Sequence, residues 1–295
     1  MDLIQALILA IIEGLTEFLP VSSTAHMIFT SSIFGTGSDE FVKMFQVSIQ
    51  FGAILSVVAL YWKKFMDFKS PMFYVKLGLA VIPALILGKL FDDKIEAVLE
   101  KPIPIAIVLI VGGVVLLFVD RFFKRPRILK EENISIQKAV IIGFWQCLAM
   151  MPGTSRSAAS IIGGMQQGLT RKLAAEFSFF LAVPTMLAVT CYSVFLKDWN
   201  LAPTLVQQKN MVPVKFDFLN STFEVYQSIP KKGYEMITAS SQNITFFVVG
   251  NIVAFIVALF AIKLFIGIID KYGFKIWGIY RILVGIALLL YFTLA

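Results

Sequence analysis

Glu13 and Glu17 stand four residues apart inside the apolar run Leu7–Leu19. On a helix that spacing puts both carboxylates on one face, with Thr16 beside them. An acid within a membrane segment costs roughly 3 kcal/mol even on insertion-based scales. The pair therefore either stays in interfacial water or faces a polar cavity, as metal ligands or as an acid and a base. Spacing alone does not separate those roles. Ligands that are all oxygen favour a hard cation, Mg²⁺ or Ca²⁺, over zinc.

Pro20 restricts Leu19 and ends this first half-helix, and Ser22, Ser23 and Thr24 stand where a second half begins. Such hydroxyls commonly serve as N-caps. A helix start with free N–H groups is also a ready anion site. His26, the only histidine, follows Ser22 by four residues and Ser23 by three, within helical reach of either hydroxyl. Arg156 interrupts another apolar stretch directly after Pro152-Gly153-Thr154-Ser155. An arginine there can snorkel to the interface, but its fork of donors also matches phosphate oxygens. Ser155 and Ser157 add donors around it, and Thr154, Ser22 and Thr24 complete the candidate substrate-binding set. Carboxylates, hydroxyls, an imidazole, a guanidinium and two helix starts fit phosphate-ester or diphosphate chemistry better than sugar or amino-acid binding.

The elements that must position these groups are membrane helices. The 295 residues are 58% hydrophobic and 15% charged, with a mean hydropathy of +0.82. A soluble domain carries nearer a quarter charged residues. These numbers exclude a secreted disulfide scaffold, a disordered chain and a typical cytosolic enzyme. A spanning helix needs about 20 mostly apolar residues, and six segments come near that: Phe41–Trp62, Leu77–Phe91, Pro102–Val119, Ala174–Leu196, Ile244–Ile262 and Gly278–Leu294. Leu3–Phe34 and Ile136–Gly168 are each broken near the middle by the polar patches that carry the candidate residues. Their halves are too short to span, which predicts two re-entrant helix hairpins.

Loop charges orient the scheme. Residues 63–76 and 120–138 are each net +3 and residues 263–275 net +2, whereas residues 31–43 and 89–101 are each net −1. With two re-entrant hairpins, all three basic loops fall on one side, as the positive-inside tendency requires. A shift of 132 residues lays Pro20 on Pro152, Ser22 on Thr154 and Ser23 on Ser155. The expected fold is therefore an all-α polytopic membrane protein, six transmembrane helices plus two hairpins in an inverted-topology repeat. It forms a single integral membrane domain, with repeat one over 1–123, repeat two over 134–295 and an extracytoplasmic loop at 197–243.

The net charge of +7 fits basic cytoplasmic loops. With no basic run interleaved with aromatics, nucleic acid is not an expected partner. Cys147 and Cys191 build neither a disulfide framework nor a metal cluster. Gln46 and Gln50, one turn apart, read first as interhelical hydrogen-bond glue and second as lining of the site.

The segment Glu13-Gly14-Leu15-Thr16-Glu17-Phe18-Leu19-Pro20-Val21-Ser22-Ser23-Thr24-Ala25-His26, with Pro152-Gly153-Thr154-Ser155-Arg156-Ser157, closely resembles the undecaprenyl pyrophosphate phosphatases, also called bacitracin-resistance proteins. The resemblance runs to Tyr280-Arg281-Ile282-Leu283, except for a longer loop at 197–243. Ala25 and Ala158 stand where the family commonly has glycine. The resemblance implies removal of the terminal phosphate from undecaprenyl diphosphate, regenerating the carrier for peptidoglycan synthesis and conferring bacitracin resistance. It makes Glu13 and Glu17 the acidic pair tied to a divalent cation, Ser23 the nucleophile, His26 an acid/base partner, and Arg156 with Ser155 the diphosphate clamp. It implies a bacterial inner-membrane location with the site opening to the extracytoplasmic side. Whether Ser23, His26 or water attacks stays open, and so does the oligomeric state, a homodimer included. The rival reading is a polyprenyl-phosphate transporter or flippase using the same site.

Overall fold

The computed structural model describes residues 1–99, 101–123, 126–201, 214–218, 221–225 and 229–294. Helices dominate it. α1 (Leu3–Thr16) opens with a capping box between Asp2 and Gln5, and α2 (Ser23–Ile33) follows after a break. α3 (Glu40–Leu60) starts on an Asp39 cap and continues into a single turn, α4 (Trp62–Phe65). α5 (Pro71–Leu99) contains Pro83, and α6 (Pro102–Phe122) has proline in its first turn, where a missing N–H costs nothing. α7 (Ile136–Gln146) ends in the 3₁₀ turn Cys147–Met150. A second break precedes α8 (Arg156–Gln166). α9 (Arg171–Cys191) contains Pro184 and relaxes into a π-helical turn at Tyr192–Leu196. The last two long helices are Ser241–Tyr272 and Lys275–Leu294.

Six of these helices are long and apolar enough to cross a membrane, one for each expected span. The Ser241–Tyr272 helix runs ten residues past the expected end at Ile262, because Lys263, Asp270 and Lys271 halt an apolar run without breaking a helix. α1, α2, α7 and α8 have 14, 11, 11 and 11 residues, too few to span. The loop at 197–243 is not plain coil. β1 (Asp198–Leu201) pairs antiparallel with β4 (Ile229–Lys232), and β2 (Val214–Phe218) with β3 (Ser221–Val225). A short helix, Gly233–Thr238, follows. Residues 202–213, 219–220 and 226–228 of this loop lie outside the described residues.

Packing runs between the halves of the sequence. α1 lies against the Ser241–Tyr272 helix, α7 against α5, and α6 against Lys275–Leu294. Small residues allow the backbones to approach. A Cβ at Gly14 would sit 2.7 Å from the Ala254 carbonyl oxygen, and one at Gly113 would sit 2.8 Å from that of Gly278. Asn251 accepts a hydrogen bond from the Gly52 N–H at 2.8 Å, tying α3 to the same bundle. Phe18, Phe179 and Phe265 are fully buried at the centre, while Ile86, Val111, Phe260 and Leu283 point outward on helices that read as lipid-facing. At the end of the molecule carrying the 63–76 and 120–138 loops, buried Lys76 donates to Glu131 at 3.2 Å. Lys64 meets the same carboxylate at 2.7 Å. Partial burial would lower the Lys64 ammonium, but the contact with Glu131 outweighs it and holds Lys64 above its ordinary range.

Candidate active site

The two breaks share one backbone device. Ser22 (φ 70°) and Ser155 (φ 73°) are the only described non-glycine residues with a left-handed φ, and each is the N-cap of the helix that follows. Side chains avoid this region at a cost of about 1–3 kcal/mol each, so the surrounding structure must impose it. The backbone equates Ser22 with Ser155, one position off the register that aligned the prolines. Nine residues before each cap stands a buried polar side chain, Glu13 or Gln146.

Glu17 joins the two breaks. Its Oε2 accepts from Ser23 Oγ at 2.6 Å, and its Oε1 accepts from Arg156 Nη2 at 2.7 Å. Arg156 Nη1 donates to the Ser178 carbonyl at 3.0 Å. Glu17, Ser23 and Arg156 are 5%, 6% and 8% exposed, so bulk water competes little for these contacts. Glu13 is fully buried one turn earlier, and neither of its carboxylate oxygens has a hydrogen-bond partner.

A cavity of about 460 Å³ opens beside this chain of contacts. Glu17, Ser22, Ser23, Thr24, Ser155 and Arg156 line its polar end, together with Gln50, Gln146 and Thr185. Leu85, Met186, Val189 and Tyr192 form its apolar wall, and Lys89 stands on the rim. The α5 residues that line it all follow Pro83, and the α9 residues all follow Pro184. The helix start at Ser23 is uncapped by any side chain, and its residues Ser22, Ser23 and Thr24 line the cavity, a setting that favours an anion.

Four expected site residues are placed elsewhere. Glu13 and Ser157 are fully buried behind the lining, Ser157 Oγ without a partner. Thr154 contributes its carbonyl to Arg281 at 2.9 Å. His26 does not reach Ser23. Its Nδ1 lies 2.7 Å from the Ser22 carbonyl and its Nε2 2.8 Å from Tyr280 Oη, with the two rings stacked at 5.7 Å. A carbonyl can only accept, so Nδ1 carries a proton, and whenever the ring is neutral Nε2 accepts from the tyrosine hydroxyl.

Gln146, Thr185, Lys89, Tyr280 and Arg281 belong to this region without having been singled out. Arg281 carried a usable signal, as a charge inside an apolar span. The others did not: Gln146 Nε2 donates to Thr185 at 3.0 Å across 39 residues.

For a divalent cation, the orphaned carboxylate of Glu13 beside Glu17 is the decisive feature. Among the described residues no group of three or more metal-ligating side chains forms. Two carboxylates do suit Mg²⁺-type binding, in which phosphate oxygens and water complete the shell.

Residues 6–287 match the family described as bacitracin resistance protein BacA. The chain belongs to this family. It is 50% identical over 290 residues to an undecaprenyl-diphosphatase of Flavobacterium psychrophilum, covering 98% of this chain and 96% of the relative. It is 47% identical over 294 residues to one of Flavobacterium johnsoniae, with coverage of 98% and 96%. It is 46% identical over 302 residues to one of Porphyromonas gingivalis, with coverage of 97% and 95%. The family match includes both breaks, the cavity lining and Arg281.

Proposed function

We propose that this chain is an undecaprenyl-diphosphatase, releasing phosphate from the lipid diphosphate and returning the monophosphate carrier to peptidoglycan synthesis. Removing the lipid that bacitracin sequesters gives the family its resistance. The observation that carries the site assignment is the Glu17 carboxylate, which holds a serine hydroxyl with one oxygen and the Arg156 guanidinium with the other.

The terminal phosphoryl group sits at the start of α2, where first-turn N–H groups and the Ser22 and Thr24 hydroxyls receive its oxygens. Arg156 binds the diphosphate from the opposite break and offsets charge as it redistributes. Ser23 Oγ attacks the terminal phosphorus and Glu17 takes its proton. The Oγ–P bond forms as the bridging P–O bond breaks, and the electrons leave with undecaprenyl phosphate. Glu17 gives this proton up to solvent; water then attacks the phosphoserine as Glu17 takes its proton and passes it to Ser23 Oγ, the Oγ–P bond breaks, and inorganic phosphate departs. The hydrogen bond already made in the resting site supports Glu17, rather than His26, as the base. Glu13 and Glu17 would hold the divalent cation, Mg²⁺ or Ca²⁺, which when bound supplies further neutralisation of phosphate charge.

The two broken helix pairs are re-entrant hairpins of an inverted repeat. Matching left-handed caps, half-helices too short to span and the exchange of packing partners between halves all support this. The α5 and α9 residues lining the cavity all lie after Pro83 and Pro184, in the halves of those helices that lead toward residues 89–101 and 197–243. That favours a bacterial inner-membrane enzyme whose site opens to the extracytoplasmic side. The apolar wall leads the polyprenyl tail out into lipid.

Purified protein in detergent should release phosphate from undecaprenyl diphosphate, more strongly with Mg²⁺ or Ca²⁺ than with chelator. No release under any condition would favour a carrier that binds the headgroup without cleaving it. Single cysteines in 63–76 and 197–243 should label from opposite faces, and same-side labelling would overturn the topology.

A further inference from the structure

Arg281, on the helix Lys275–Leu294, is 1% exposed and the largest fully buried side chain among the described residues. Its guanidinium forms no ion pair with a carboxylate among them. Instead every hydrogen bond it makes among them is to a backbone carbonyl. Nε donates to Leu109 at 3.2 Å, Nη1 to Pro20 at 3.3 Å and Thr154 at 2.9 Å, and Nη2 to Gly153 at 2.8 Å. Pro20 belongs to the first break, Gly153 and Thr154 to the second, and Leu109 to α6. One side chain therefore fastens both turns to a common post from behind.

Room for it is made by Gly112, where a Cβ would stand 2.7 Å from the Arg281 Cζ. A planar fork with five donors can serve four carbonyls from separate segments. A lysine ammonium, with three donors at one point, cannot bridge them. Arg281 is not part of the cavity lining, so it does not touch a bound headgroup. Among the described residues, the other direct polar ties between the breaks are the Glu17–Arg156 pair, whose guanidinium also lies 5.8 Å from the Phe18 ring centroid, and a 3.5 Å contact from Ser155 Oγ to the Leu19 carbonyl. The first of these is itself part of the chemistry.

We propose that Arg281 is a positioning residue that locks the two broken helices in register. It thereby sets where Ser23 and Glu17 stand relative to Arg156. The kinetic side of this inference rests on the phosphatase reading; the structural side does not.

The test compares purified wild type with Arg281→Lys and, as a variant that displaces the guanidinium while keeping it, Gly112→Ala. Hydrogen–deuterium exchange should quicken at residues 18–24 and 151–157 and stay unchanged in α3 and α9. The kcat per folded molecule should fall on the order of 100-fold, the loss expected from an ångström-scale misplacement. KM should move far less, because Arg156 and the α2 amides still meet the headgroup. Wild-type exchange at both turns in a folded Arg281→Lys protein would overturn the proposal. So would faster exchange spread evenly over all helices with kcat per folded molecule preserved, the mark of a merely structural residue. If wild type releases no phosphate, the phosphatase reading fails, and exchange at the turns still decides the clamp.

Discussion

The two broken helix pairs use the same backbone and divide the chemistry between them. Both enter their second helix through a serine held left-handed, at φ 70° and φ 73°. In the second pair, Ser155 Oγ accepts from the Ala158 N–H at 3.3 Å and closes the helix start. In the first, Ser22 makes no such bond, and the helix start stays open to the cavity. The residue after the cap is Ser23 in one and Arg156 in the other, and the buried residue nine positions earlier is Glu13 in one and Gln146 in the other. The pair with the capped second helix supplies the fixed cation, and the pair with the uncapped one supplies hydroxyls and amides from α2 and acids from α1. Symmetric scaffolding is thus compatible with an asymmetric site, because a cap's side chain can satisfy its own helix or leave it for a ligand.

The sharpest way to break this comparison is at Glu17, which belongs to both sides. Glu17→Gln removes the proton acceptor and the counter-charge of Arg156, so phosphate release should drop by roughly 10³–10⁴-fold, the range general-base losses reach. Activity within a few-fold of wild type would remove Glu17 from the chemistry. Next comes the serine pair. Ser23→Ala should abolish most release with little change in melting temperature. Ser155→Ala should instead cost about 1 kcal/mol of stability through the lost cap and a smaller share of activity. Equal activity losses and equal shifts in melting temperature in the two variants would erase the proposed division of labour.

The cation separates Glu13 from Gln146. Wild type should lose roughly tenfold or more of its activity on chelation, in line with the charge stabilisation a bound metal supplies. Glu13→Gln should lose that response, and a Gln146→Ala protein should keep it. Retained stimulation by Mg²⁺ or Ca²⁺ in the Glu13 variant would place the ion elsewhere. The smallest effect belongs to the His26–Tyr280 contact. Tyr280→Phe forfeits one hydrogen bond, worth about 1 kcal/mol, and should leave turnover within a few-fold. A loss as large as that of Ser23→Ala would return His26 to the reaction.

Much of this was legible because a membrane punishes polar residues. Glu13, Glu17 and Arg156 stand out against apolar neighbours, Pro20 and Pro152 mark the breaks, and the six spans follow from length alone. What stayed hidden depends on which groups face each other across the bundle. Spacing placed His26 within reach of both serines, yet its ring turns to Tyr280, 254 residues away. Sequence did not show that Ser22 sits at a left-handed corner while the Ser23 hydroxyl next to it reaches Glu17. A register matched on the prolines misses the shared left-handed caps, Ser22 and Ser155, by one residue. Arg281 was in plain view as a charged residue in a span, but its partners are carbonyls, which no side-chain pattern records.

The cavity beside Glu17 has a volume of about 460 Å³ and one apolar wall whose residues Leu85 and Val189 are also exposed on the outside of the helices. That space holds a headgroup and the first units of a chain, not a long polyprenyl tail. The bilayer therefore remains the solvent of most of the substrate throughout the reaction. Substrate supply is then a two-dimensional quantity: saturation should track the mole fraction of lipid diphosphate in the membrane. Diluting the substrate with inert lipid at constant bulk concentration should slow the enzyme as effectively as removing it.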